Sequence, residues 1–330
     1  MKKSLLFVIV IMFATLGFSQ QQLATLNHND SLSVFYGPTA LQQAHNAAVG
    51  GDVISLSSGV FNNIDITKSV TIRGNGMVRD TIANTEPTII NGGTITGSNI
   101  VIEGVRFTEF FSYTLVTNPV FRKCMIDNFN CSGVYDTIQN GLFINCVIRS
   151  ASSCHNLYNV QLINSICAVG YWTRINACSI RNCIVFIDPY YLANSEQNAP
   201  SLTCRSSILI ARSMPYAVDP IATFNCIGIC DNGYFETSSN GNQNFSEMTA
   251  VFKKFNGIQS DGRIGIETDY ELQENLVANA HGSDGTQIGV YGGMVPFDPR
   301  VNTMRYVKCN VAPHTTQDGK LSVDIEVVSE

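Results

Sequence analysis

A degenerate pattern, apolar–x–Asn–Cys–apolar, recurs through the middle of this chain and restricts its fold more than any other feature. It reads Phe143-Ile144-Asn145-Cys146-Val147-Ile148, Leu162-Ile163-Asn164-Ser165-Ile166-Cys167 and Ile180-Arg181-Asn182-Cys183-Ile184-Val185, and it returns as Thr223-Phe224-Asn225-Cys226-Ile227-Gly228. Weaker copies stand at 121–126 and 204–209. The marked position therefore runs Cys124, Cys146, Ser165, Cys183, Ser207, Cys226. A recurrence of about twenty residues built on short apolar runs is the signature of a solenoid, because one such unit cannot bury its apolar side alone. The steps between marked positions are unequal, as expected of a coil whose strands keep register while its loops vary.

Composition agrees with stacked strands. Only 14% of the 330 residues are charged, well under the usual ~25%. Asn, Ser and Thr carry the polar share, and Asn and Ser favour turn geometry. A formal net charge of −6 argues against a nucleic-acid partner, which needs a basic patch.

The N-terminus reads as a targeting segment over 1–19. Lys2 and Lys3 precede an apolar run from Leu5 to Leu16, and Gly17 and Ser19 are small residues before a cut at Gln20. The run is short for a membrane span, which takes roughly 20 residues. The expectation is an exported chain, secreted, periplasmic or on the cell surface, with no span left after signal removal. In an exported chain cysteines usually pair, and there are eleven here. Ladder cysteines one rung apart, about 4.8 Å, are within disulfide reach. The Ser at 165 and 207 and the apolar neighbours point instead to small buried thiols stacked along the coil. Scattered histidines and the lack of a Cys-x-x-Cys pair argue against zinc.

An amphipathic helix is expected over Thr39–Val49, with Thr39 and Gln42 as a capping box. Strands follow at 53–56, 59–61, 64–66 and 70–72, and further rungs at 89–95 and from Ile100 onward. Residues 231–263 read as an insertion, with last turns at 270–276 and 287–291. The run Leu41-Gln42-Gln43-Ala44, Gly50-Gly51-Asp52-Val53-Ile54-Ser55-Leu56, Gly59-Val60-Phe61, Lys68-Ser69-Val70-Thr71-Ile72 and Gly74-Asn75-Gly76 resembles the N-terminal cap and first coils of the right-handed parallel β-helix family, the pectate-lyase-like superfamily. Gly282 to Gly293 is similar to the closing coil of exported β-helix proteins of Bacteroidota type. The resemblance covers about 36–297 and implies an all-β, right-handed parallel β-helix over 20–297. It also implies an Asn ladder, matched here by Asn145, Asn164, Asn182 and Asn225. Apolar residues occupy both parities around each Asn, so periodicity alone does not say which side faces inward.

Beyond Pro296 the pattern changes to strict alternation at 307–311 and 321–327 around Gln317-Asp318-Gly319-Lys320. That is a β hairpin in a C-terminal extension over 298–330, read as a cover for the last rung, with the vestige of a sorting or attachment module as the alternative.

The superfamily holds lyases, hydrolases, esterases and non-enzymes, so fold alone does not give activity. Its aspartate-cluster, Gly-His-Gly and Arg-x-Lys motifs are absent from this sequence. Arg122, Arg181 and Arg205 share one register, interrupted by Ile144 and Ile163. Lys123, Arg149 and Arg174 are the weak candidates for an atypical lyase that would take the α-proton of a uronate. Asp261, Glu267, Asp269, Glu271, Glu274 and Asp284 offer hard oxygen donors of the kind calcium takes, in a spacing that fits no compact loop. Tyr171, Trp172, Tyr190 and Tyr191, read as loop aromatics, offer flat apolar faces for sugar rings. The reading is a non-catalytic exported protein presenting a long face to a polysaccharide or cell-surface glycan. An atypical uronate lyase and a purely structural or adhesive role are the alternatives. The sequence does not specify an oligomeric state.

Overall fold

The computed structural model describes residues 22–81, 85–112, 114–131, 136–187, 202–211, 221–230, 240–254, 270–301, 305–311 and 323–328. The signal segment, Tyr190 and Tyr191, and the acidic residues at 261, 267 and 269 lie outside them. The chain is an all-β parallel solenoid of about seven turns. No helix among the described residues is long and apolar enough to cross a membrane.

Each turn contributes one strand to an 11-stranded sheet, here the first sheet, and further strands to a 16-stranded second sheet. The first sheet stacks Val53–Leu56, Thr71–Arg73, Val101–Glu103, Val120–Arg122, Leu142–Ile144, Gln161–Ile163, Cys178–Arg181, Leu202–Arg205 and Ile221–Phe224 in parallel. The second sheet resumes two or three residues later at Met125–Ile126, Val147–Tyr158, Ile166–Asn176, Ile184–Ile187, Ile208–Ala211 and Ile227–Ile229. Between the two sheets the chain makes a sharp corner, and the repeat builds it.

At that corner the Asn position, or Lys123 and Ser206 in its place, has positive φ between 44° and 52°. The left-handed conformation costs most L residues about 1–2 kcal/mol, and Asn tolerates it best. The next residue, Cys or Ser, points into the coil. Its X–H donates to the carbonyl two residues back: Ser165 Oγ to Ile163 O at 2.8 Å, Cys183 Sγ to Arg181 O at 3.1 Å and Ser207 Oγ to Arg205 O at 2.8 Å. Its S or O accepts the corner N–H of the preceding rung. Cys146 N donates to Ser165 Oγ (3.0 Å), Ser165 N to Cys183 Sγ (3.4 Å) and Cys183 N to Ser207 Oγ (3.1 Å). Asn242 Oδ1 closes the row on Cys226 N at 2.9 Å. The row is thus a hydrogen-bonded ladder, which is why Ser replaces Cys in it without loss. The nine cysteines at 124, 131, 146, 167, 178, 183, 204, 226 and 230 are free and buried. Burial pushes Cys178 and Cys226 up to about 11 and Cys183 up to about 12, and Cys124 and Cys204 well above the ordinary thiol range. Such thiols stay protonated and inert.

The inner core alternates with this row. Phe121 and Phe143, on adjacent rungs, stack at 4.8 Å, and Phe107, Phe110 and Phe129 pack around them.

The N-terminal end is capped by strand β1 (Leu23–His28), strand β2 (Ser31–Tyr36) and helix α1 (Ala40–Ala47). β1 pairs antiparallel with both β2 and Val53–Leu56. Asn29 and Asp30, both at positive φ, make the two-residue turn that a hairpin prefers. Thr39 makes no capping bond, contrary to the capping-box expectation: its ψ of 1° takes its oxygen away from the helix N-terminus. Gln42 instead accepts the Asp65 backbone N–H. Lys68 Nζ donates to the carbonyls of His45, Asn46 and Ala48 and holds the helix C-terminus.

The C-terminal part departs from expectation. The coil continues through Gln243–Phe245 inside the supposed insertion, while 270–276 and 287–291 are not turns of it. Phe252, Tyr270, Leu272, Ile288, Val290 and helix α2 (Glu274–Asn279) pack on the outer face of the second sheet. Beneath them runs the apolar row Met125, Val147, Ile166, Ile184, Ile208, Ile227. Both parities around the repeat are therefore buried, one inside the coil and one under this cover. Residues 282–301 then run back along the corner as a strap. Gly289 N bonds Ser206 O, Asn164 Nδ2 bonds the carbonyls of Val290 and Gly292 (2.8 and 2.7 Å), and Lys123 Nζ bonds Arg300 O (2.7 Å). Val301 ends the strap against Gly104. The hairpin Arg305–Val311 with Val323–Val328 thus follows a chain path that has returned to the first coils, away from the last rung.

Candidate functional site

With the second sheet covered over these rungs, the long outer face left open belongs to the first sheet. Its strands alternate, so every second side chain points out. Register places Arg73, Glu103, Arg122, Ile144, Ile163, Arg181, Arg205 and Phe224 in one outward row. The adjoining row holds Val120, Leu142, Gln161, Ser179 and Thr203. These side chains are half-buried or exposed.

Charge along the row is uneven. Arg73 pairs with Glu103 at 3.8 Å. Arg122, Arg181 and Arg205 have no carboxylate within 4 Å among the described residues. Arg205 lies 4.3 Å over the Phe224 ring, a cation–π contact. Burial opposes ionisation of Asp284, but hydrogen bonds from Thr286 and the more distant charge of Arg181 hold its carboxyl below the usual range.

A second row borders the open face at the opposite corner. Asn99, Asn118, Asn140 and Asn159 all have positive φ. Each Nδ2 donates to the preceding Oδ1: Asn118 to Asn99 at 2.8 Å, Asn140 to Asn118 at 3.0 Å and Asn159 to Asn140 at 2.9 Å. The amide ladder thus lies at residues other than the expected Asn145, Asn164, Asn182 and Asn225. Asn164 and Asn182 of the expected ladder turn to the strap, and the Asn145 Oδ1 is buried with no partner among the described residues. The true ladder was legible as Asn recurring at 99, 118, 140 and 159, in step with the Cys row, but no cysteine follows to mark it.

The catalytic candidates do not converge. Lys123 is a corner residue tied to the strap. Arg149 sits on the outer face of the second sheet, in a triad where Asp127 accepts from Arg106 Nη2 at 2.7 Å and from Arg149 Nη1 at 3.4 Å. Arg174 lies further along the strand Ile166–Asn176. Tyr171 and Trp172 occupy the same strand, not a loop. Tyr171 shares a register row with Ser153 and Asn130, and Trp172 shares one with Cys154 and the buried Cys131. No group of three His, Cys, Asp or Glu side chains that could hold a metal occurs among the described residues. Compared with protein-family models, with curated proteins and with solved structures, the chain matches none of them.

Proposed function

We propose that this is an exported, non-catalytic β-helix protein, kin to the pectate-lyase-like superfamily, that binds an anionic polysaccharide or cell-surface glycan along the open face of the first sheet. The observation that carries this reading is the asymmetry of the two outer faces. Over its rungs from Met125 to Ile227 one is covered by the C-terminal segment, and the other carries Arg122, Arg181 and Arg205 with no carboxylate within 4 Å among the described residues and is bordered over its earlier rungs by the exposed amide ladder. Arg181 and Arg205 stand on adjacent rungs, about 4.8 Å apart, and offer charge-assisted hydrogen bonds to successive carboxylates of a linear anionic chain.

The test is a titration of the mature chain with a panel of uronate-containing and neutral polysaccharides, repeated for Arg181→Ala with Arg205→Ala. Binding to anionic chains that falls at least tenfold in the double variant supports the reading. Equal binding of neutral chains, or none at all, contradicts it. Release of an unsaturated, ultraviolet-absorbing product would sink the non-catalytic part and favour the lyase.

A further inference from the structure

The N-terminal end of the solenoid carries an open strand edge. β2 is the terminal strand of the first sheet and pairs only with β1 among the described residues. Its sequence, Ser31-Leu32-Ser33-Val34-Phe35-Tyr36, holds no charge, proline or glycine. Natural edges are normally blunted by lysine, proline, a bulge or a cover, and β2 has none of these among the described residues. Phe35 packs against the core, so its parity faces inward over α1. The other parity is left out in water: Leu32 is 65% exposed, Tyr36 57% and Val34 40%.

We infer that β2 is a self-association edge, and that its occupant is β2 of a second copy, paired antiparallel about a two-fold axis at Val34. An isologous contact must be complementary to itself, and this strand is. With the axis on Val34, Leu32 stands opposite the second copy's Tyr36, Val34 opposite its Val34, and Ser33 opposite its Phe35. Directly opposed residues point to the same side, so the exposed apolar residues of both copies merge into one patch. The nearest charge, Asp30 in the turn, falls opposite Pro38, so the pairing juxtaposes no like charges despite the net charge of −6. Gly37 at φ 87° ends the strand and limits the pairing to about five residues. Such a contact falls below the ~1,200 Å² of a standard interface, so the dimer is weak and concentration-dependent.

Sedimentation of the mature chain over a concentration series tests this. Wild type is expected to dimerise, whereas V34K and V34E each remain monomeric with their thermal unfolding unchanged, because like charges then face across the axis. An equimolar mixture of the two variants is expected to dimerise again. A readout that needs no variant is amide exchange in 31–36, expected to slow as concentration rises. Wild type monomeric up to about 1 mM, or a dimer that survives V34K, overturns the inference. Concentration-independent exchange in 31–36 overturns it too.

Discussion

Two corners of the same coil use the same residue for different ends. Both place Asn in the left-handed conformation, rung after rung. At the exposed corner, Asn99, Asn118, Asn140 and Asn159 have water on one side and bond to one another. At the other, Asn164 and Asn182 are buried and bond the strap that covers the second sheet. Backbone geometry selects the residue type at both corners, and what lies outside the corner decides where its amide goes. Asn in a repeat therefore marks a turn and does not by itself mark a ladder.

The comparison is broken most severely at Asn164. Asn164→Ala strands the carbonyls of Val290 and Gly292 in a buried site and puts alanine in a left-handed turn. It is expected to cost about 2–5 kcal/mol, read as a lower urea midpoint. Asn118→Ala removes solvent-exposed ladder bonds and is expected to cost only about 1–2 kcal/mol. Equal losses would mean that the strap adds nothing to the buried corner.

The thiols give a pH signature. Their folded-state values are raised by burial, so their stabilising contribution is complete below the ordinary thiol value of 9.0 and is lost as pH climbs toward about 11 for Cys178 and Cys226 and about 12 for Cys183. Each thiol removes up to about 1.4 kcal/mol per pH unit in that window. Denaturant midpoints should fall steeply between pH 9 and 11, and a flat profile would contradict buried thiols.

Within the row, Cys183→Ser keeps a donor and an acceptor and should cost under about 1 kcal/mol, whereas Cys183→Ala leaves the Ser165 N–H unpaired and should cost about 1–3 kcal/mol. One further effect is a gain. Ala177 holds the position after Asn159 at φ 52°, where the exposed ladder stops. Ala177→Asn extends it by one rung and should raise stability by about 0.5–1.5 kcal/mol, measured as a higher midpoint.

The architecture was legible because the Cys/Ser row and its apolar flanks repeat in one register. The row Arg122, Arg181, Arg205 was legible for the same reason. Which face stays open was not, because Ile184 and Ile208 read alike whether they look into the coil or under a cover. That choice rests on contacts with residues 248–254 and 270–301, far along the chain. The N-terminal hairpin left a local signal, Asn29-Asp30 between two β-prone runs. Lys123 was legible only as a basic side chain that could meet an anionic sugar; that its ammonium is bonded to the Arg300 carbonyl depends on a contact far along the chain.

Hydrogen exchange with and without a uronate polysaccharide tests most directly whether the open sheet is the working face. Added polysaccharide should slow exchange at 120–122, 161–163, 179–181 and 203–205 and leave the strap at 282–301 unchanged. Protection confined to the strap, or spread evenly over both, would contradict the assignment of binding to the first sheet.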